Sequence, residues 1–203
     1  MDSVKIRVVE DPTAGLADYG TIPIAFQVTT VFDVLVRGTR QEEFELVRRQ
    51  LAVPYMKDYD AIAGGHPTEW PKRFDLSNWG IFAAHAAGRR VGGAAVAFNT
   101  PDLEMLNGRS DIAALWDIRV APDARGQGIG SALFNAAERW ARARGCRELR
   151  IETQNINVAA CRFYQRQGCV LVTADPSAYP GLPDETQLIW EKKLWAMSDD
   201  RRR

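Results

Sequence analysis

A chain of 203 residues, 46% of them hydrophobic, is long enough to bury one substantial core. Its 26 basic and 26 acidic side chains cancel, so charge gives no reason to expect nucleic acid or an anionic membrane as the main partner. Cys146, Cys161 and Cys169 lack metal-ligand spacing, and His66 and His85 are too few for a histidine-rich site. A reduced, metal-free, cytoplasmic protein is expected. No apolar run approaches 20 residues and Met1-Asp2-Ser3 opens no secretory signal, so no membrane span is expected either.

Residues 4–10 alternate well enough to predict a strand, and the turn formers of 11–20 read as a linker. Residues 22–36 are rich in β-branched and aromatic types, which predicts strand structure. Phe44, Val47 and Leu51 stand at helical spacing and predict a helix over 41–51. Residues 54–75, with Gly64-Gly65 and Trp70, read either as an ordered loop over a site or as a plain connection. Residues 79–86 and 90–98 flank a Gly88-Arg89 turn and predict a hairpin. A strand at 115–121, a helix at 131–144 and a strand at 148–153 follow. The next helix begins near Asn155 and ends at Gly168, a suitable C′ glycine. Residues 169–173 and 187–194 supply two last strands, and the polar 198–203 are expected to fray.

The most informative stretch is Arg125-Gly126-Gln127-Gly128-Ile129-Gly130, followed by Ser131. A glycine-rich turn that leaves a strand and opens a helix exposes several N–H groups together, at the positive end of the helix dipole. Such a turn suits phosphate oxygens. A Walker loop would need a lysine after the glycine, and Gly130 is followed by Ser131. A dinucleotide turn with Gly128 and Gly130 as its first glycines would need a small residue where Leu133 stands, although Glu148 and Glu152 lie near the distance of a ribose-binding acid. Arg/Gln-x-x-Gly-x-Gly/Ala is met by Arg125, Gly128 and Gly130.

Ile129, Leu133, Ala136, Ala137 and Trp140 make one apolar stripe in the first of these helices, as core packing requires. In the later helix Asn157, Ala160 and Tyr164 share a face at i, i+3 and i+7. The two motifs together, over 116–169, resemble the acetyl-CoA core of the Gcn5-related N-acetyltransferase (GNAT) superfamily, and the resemblance extends across roughly 78–194. In that family the first motif takes the CoA pyrophosphate and the second is N-x-x-A-x-x-x-Y followed by Gly, here Gly168. Within it, IETQNINVAACRFYQRQGC, PYMKDYD at 54–60 and the region around 25–36 are similar to streptothricin acetyltransferases. Two departures are Cys169, where an aromatic is usual, and Trp116-Asp117, where an acidic pair is usual.

The resemblance implies an α/β (α+β) fold. Its central sheet would be mixed and mostly antiparallel, of six to seven strands flanked by helices and splayed at two central parallel strands. A single domain over 1–203 is expected, with 1–76 an N-terminal elaboration on the acceptor side, 77–195 the acetyl-CoA-binding core and 196–203 a flexible tail. Acetyl-CoA is the implied co-substrate, with no metal. Ile118, Arg119, Val120, Arg125, Gly126, Gln127, Gly128, Ile129, Gly130, Ser131, Asn157, Ala160 and Phe163 are its implied contacts.

The implied reaction moves acetyl directly to a primary amine of a small molecule, such as a streptothricin-like or aminoglycoside-like antibiotic. The amine must be neutral to attack, so a carboxylate base is wanted. Asp117 and Glu152 are the candidates, and by strand alternation Asp117 shares a face with Leu115 and Arg119. Asp117 would alternatively position a cationic substrate, and Glu152 would alternatively be a solvated strand residue. A backbone N–H within 118–120 would hold the oxyanion, and Tyr164 would be the general acid for the departing thiolate. Asp33, Asp58, Asp60, Asp75 and Asp117, walled by Tyr55, Tyr59 and Trp70, are candidate acceptor contacts. Competing readings are a non-catalytic acyl-CoA-binding module, an acetyltransferase for a protein or peptide amine and, more distantly, a nucleotide-dependent oxidoreductase. Dimers are common in the family, so a homodimer is among the assemblies it allows.

Overall fold

The computed structural model describes residues 6–11, 15–37 and 43–194. Seven strands form one sheet: β1 (Arg7–Glu10), β4 (Gly80–Ala86), β5 (Arg89–Phe98), β6 (Ile112–Val120), β7 (Glu148–Gln154), β9 (Gln187–Lys193) and β8 (Val170–Asp175), in that spatial order. Among these neighbours β6 and β7 alone run parallel. Their crossover carries α2 (Ile129–Ala143), as a parallel connection requires. A separate two-stranded ribbon is formed by β2 (Phe26–Arg37) and β3 (Glu43–Lys57). The short α1 (Leu16–Gly20), α3 (Val158–Arg166) and 3-10 turns at Pro67–Lys72, Glu104–Leu106 and Pro122–Ala124 complete the regular elements among the described residues.

Two apolar layers cover the sheet. On one face Ile129, Leu133, Phe134, Ala137 and Trp140 of α2 pack with Val158, Cys161 and Tyr164 of α3 against Val96, Leu115, Ile151 and Trp190. On the other, Leu16 and Tyr19 of α1 join Trp70, Phe74, Trp79 and Leu106. The consecutive Gly92 and Gly93 allow a close fit on both sides. A Cβ on Gly93 would stand 2.4 Å from the Tyr19 ring, and one on Gly92 would stand 3.0 Å from Leu133.

Several sequence expectations are corrected. The segment 11–20 is not only linker, because Leu16 and Tyr19 at i, i+3 bury one face of α1. Residues 43–57 are one strand, so 43–51 are not helix and 54–57 are not loop, while 41–42 lie outside the described residues. Phe44 and Leu46 also fit a period of two, and pairing with Val36 and Val34 decides between the periods. The hairpin turn is Ala87-Gly88, both at positive φ, rather than Gly88-Arg89. The tail 196–203 and residues 4–5 also lie outside the described residues.

The event that matters for function is in β6. Ala95 pairs with Asp117 and Val96 with Leu115, so Trp116 is an extra residue, a β-bulge. Strand alternation restarts there. Leu115, Ile118 and Val120 face the α2 side, whereas Trp116 packs on Trp70, Phe74 and Trp79 across the sheet. Asp117 and Arg119 share that second face, where both meet Tyr19. The expectation that Asp117 shares a face with Leu115 is therefore corrected, because the bulge separates them. Beyond Leu115 and Ile151, β6 and β7 no longer pair, and the sheet opens.

Candidate active site

The opening between β6 and β7 leads into a cleft of about 1390 Å³. One end is the glycine turn. Gly126 and Gly128 adopt φ of +76° and +82°, a region that side-chain-bearing residues avoid, and an ideal Cβ on either would meet nothing within 4 Å. Space in front of the turn is therefore open. The N–H groups of residues 126–131 find no acceptor among the described residues, and Gly128 caps α2 without a side-chain bond. Arg125 bonds its own loop through Nε to the Val120 carbonyl at 3.1 Å, and Gln127 Nε2 donates to the Asp123 carbonyl at 3.4 Å. Gly130 lets the Phe163 ring approach to 3.3 Å of where its Cβ would be, closing α3 against the start of α2. Ser131 accepts from Gln167 Nε2 at 3.0 Å across the same junction. The turn fits an anionic phosphate ester on main-chain donors.

The middle of the cleft is the open seam. The N–H of Ala121 donates to Val91 of β5, so by antiparallel alternation the N–H groups of Ile118 and Val120 point away from β5 into the gap. Asn157 caps α3 by accepting from the Ala160 N–H at 3.1 Å, which accounts physically for the spacing of those two residues. Tyr164 lies two turns along α3, buried, with its ring near Phe134, Phe163 and Trp190. Burial, then the negative charge of Asp117, holds the Tyr164 phenol protonated well above the ordinary tyrosine range. Ile118, Val120, Ala160, Phe163 and Tyr164 all line the cleft.

The two carboxylates proposed from sequence stand in different surroundings. Asp117 is engaged on both oxygens. Oδ1 accepts from the Tyr19 hydroxyl at 2.6 Å and from Arg119 Nε at 2.9 Å, and Oδ2 accepts from Arg119 Nη2 at 2.7 Å. Arg119 is buried and spans from Asp117 to Asp60, at 2.9 and 3.1 Å, and to the Ile22 carbonyl at 3.0 Å. Its buried side chain is thus a strut whose anions are Asp117 and Asp60, while Arg119 and Asp117 both also line the cleft. Glu152 is half-buried on β7 and accepts on Oε1 from the Tyr179 hydroxyl at 2.6 Å.

The acceptor residues read from sequence do not assemble as a group. Asp33 pairs with Arg49 on the ribbon, while the exposed Asp58 and Asp75 accept from the nearby backbone N–H groups of Asp60 and Ser77. Tyr59 and Trp70 do line the cleft, together with Phe26, Phe74, Trp116, Tyr179, Glu152 and Glu185. Tyr179, Gln154, Glu185 and Lys57 were missed, for they come together only through contacts spanning up to 128 residues, such as the Lys57–Glu185 ion pair at 2.5 Å. Tyr19 carried one local signal, its i, i+3 relation to Leu16. Among the described residues no group of three or more His, Cys, Asp or Glu is placed to hold a metal, and no helix is long and apolar enough to cross a membrane.

A mixed sheet opened at its parallel pair, with unpartnered main-chain donors at one lip, is the arrangement that the sequence resemblance implied for an acyl-CoA-using transferase. The sequence pattern of the Acetyltransferase (GNAT) family matches residues 44–169, and the chain belongs to that family. It is an acetyl-CoA-dependent N-acetyltransferase. It is 32% identical over 161 residues to a streptothricin acetyltransferase of Streptomyces lavendulae, covering 79% of each chain. Its fold superposes on nourseothricin acetyltransferase with TM-score 0.72 and 25% identity, covering 94% of this chain and 99% of that one. A Bacillus anthracis protein solved in complex with acetyl coenzyme A gives TM-score 0.72 at 24% identity, over 95% of this chain and 99% of that one.

Proposed function

We propose that the chain acetylates a primary amine on a cationic small molecule of the streptothricin type. The observation that carries this reading is the polarity of the cleft: free N–H donors at one end, carboxylates among aromatic rings at the other. The named relatives support the choice of acceptor. In this reading 1–76 contributes the acceptor wall, through Phe26, Tyr59 and Trp70, and 77–195 carries the CoA-binding core.

Acetyl-CoA supplies the thioester whose acetyl carbon is attacked. Residues 126–131 bind its pyrophosphate through main-chain N–H groups, with Arg125 beside them, and Asn157, Ala160 and Phe163 line its path along α3. The N–H groups of Ile118 and Val120 are placed to receive the carbonyl oxygen, where charge grows as the amine attacks. Glu152 takes a proton from the ammonium, or from water beside it, because an alkylammonium ionises near pH 10 and must be neutralised first. Asp117, engaged on both oxygens by Arg119 and Tyr19, holds the strand instead. Tyr164, kept protonated by burial, gives its proton to the sulfur as the C–S bond breaks, and the second proton shed by the nitrogen as the amide forms restores the phenol. Every residue invoked comes from one chain, so the proposal holds for a monomer or a homodimer.

The test is thiol release from acetyl-CoA against streptothricin, aminoglycosides, polyamines and peptide N-termini. Streptothricin should turn over fastest, and Tyr164→Phe should lower kcat about 10²-fold while leaving acetyl-CoA affinity intact. Preference for peptide N-termini would overturn the acceptor assignment. An unchanged kcat in Tyr164→Phe would remove that residue from the chemistry.

A further inference from the structure

Around Glu152 the hydrogen bonds have a direction. The Tyr59 hydroxyl donates to Gln154 Oε1 at 2.5 Å, Gln154 Nε2 donates to the Tyr179 hydroxyl at 2.8 Å, and that hydroxyl donates to Glu152 Oε1 at 2.6 Å. Each phenol has its one proton committed, and the chain of donors ends on the carboxylate. Three separate segments are joined this way: the end of the ribbon at Tyr59, the end of β7 at Glu152 and Gln154, which pairs with β9 but no longer with β6, and the loop 176–186 at Tyr179. The Lys57–Glu185 pair, with side chains 11% and 7% exposed, ties the same ribbon to the same loop. Chains of this kind polarise one another and restrict rotation of their last acceptor. Among the described residues Glu152 Oε2 has no partner, and Glu152 lines the cleft.

We infer that Tyr179 is a positioning residue for the acceptor amine: relayed from Tyr59 through Gln154, its hydroxyl occupies one oxygen of Glu152 and presents the other to the cleft. Burial and the adjacent Glu152 charge hold the Tyr179 phenol above its ordinary range, so it stays the donor across the working pH range. A carboxylate held by one oxygen cannot turn its free lone pairs into the protein. The ammonium therefore meets an oriented acceptor rather than a rotor, which is the geometric condition for efficient proton transfer. The inference rests on Glu152 as proton acceptor, and it assigns the loop 176–186 a part in acceptor recognition.

The test is steady-state kinetics on Tyr179→Phe, Glu152→Gln and the double variant. Streptothricin is the amine, or whichever amine of the panel above turns over fastest. Removing a hydrogen bond to a charged group should lower kcat about 10-fold in Tyr179→Phe, with the KM for acetyl-CoA unchanged. In the Glu152→Gln background the same change should cost less than about 2-fold, since no carboxylate remains to orient. Tyr59→Phe, two bonds away, should show a smaller loss of the same kind, about 3-fold, and provides the readout if Tyr179→Phe fails to fold. An unchanged kcat in both phenylalanine variants overturns the inference, as does an undiminished Tyr179→Phe loss in the double variant. Parent-like turnover in Glu152→Gln instead removes Glu152 as base, and the role of Tyr179 falls with it.

Discussion

At the glycine turn the cleft is walled by main chain from one short segment, whereas its opposite end is walled by side chains gathered from several. Residues 126–131 leave their N–H groups without an acceptor among the described residues, with Gly126 and Gly128 at positive φ. The acceptor end depends on Tyr59 reaching Gln154 across 95 positions, Tyr19 reaching Asp117 across 98 and Lys57 reaching Glu185 across 128. Local geometry is set by local sequence, but a long-range assembly exists only once the fold has formed. The donor end is therefore stable in its chemistry, and the acceptor end changes with every segment that contributes to it.

The largest way to break the contrast is at Arg119, the buried cation that joins Asp60 to Asp117. Arg119→Met leaves two anions without their partner and should cost about 3–5 kcal/mol in urea unfolding. Arg49→Met, which breaks the exposed pair with Asp33, should cost under about 1 kcal/mol. Similar losses at the two sites would mean that the strut is not what holds the acceptor wall. Gly128→Ala probes the donor end, where φ of +82° strains any side chain. Its acetyl-CoA dissociation constant should rise about 10-fold by calorimetry, through roughly 1–2 kcal/mol of backbone strain.

A smaller and global effect is expected with pH. Burial raises the thiols of Cys161 and Cys169 to about 12 and that of Cys146 to about 11, from an ordinary value of 9.0. A raised folded pKa means that the native state keeps a proton which the unfolded chain releases. The stabilisation is therefore complete below about 9 and is lost as pH climbs toward 11 to 12. Melting temperature followed from pH 8 to 11 should decline through this window, and replacing the three cysteines by alanine should flatten that part of the decline.

How much was legible follows the same division. The strand–turn–helix at 115–144 was readable because turn glycines and a helical stripe act over a few residues. The helix α3 was readable from its stripe and Gly168, but its start was read near Asn155, whereas Asn157 caps a helix of Val158–Arg166. The ribbon was half readable: 43–51 fits both periods, and only pairing with β2 settles it as strand. The face on which Asp117 lies was misread because a bulge leaves no mark in a strand whose residues are otherwise ordinary. Tyr179 sits among Pro176, Pro180 and Pro183 in a stretch that reads as loop, and nothing beside it points to a carboxylate 27 positions away. Glu152 was nameable as a candidate, but its distinction from Asp117 depends on which partners each one meets.

The opening of β6 from β7 also changes what kind of object the sheet is. A seven-stranded sheet ordinarily has two edges, here β1 and β8, and this one has two more in its interior. Unpaired strand edges invite another strand, which is the usual route to aggregation. These inner edges lie inside a cleft, with α2 and α3 on one side and the Trp70–Trp116 cluster on the other. A whole polypeptide strand of a neighbouring molecule would have to enter between those walls. A thin, extended ligand bearing amide groups could occupy the slot, so the fold keeps edge-pairing capacity at its centre while shielding it from other chains.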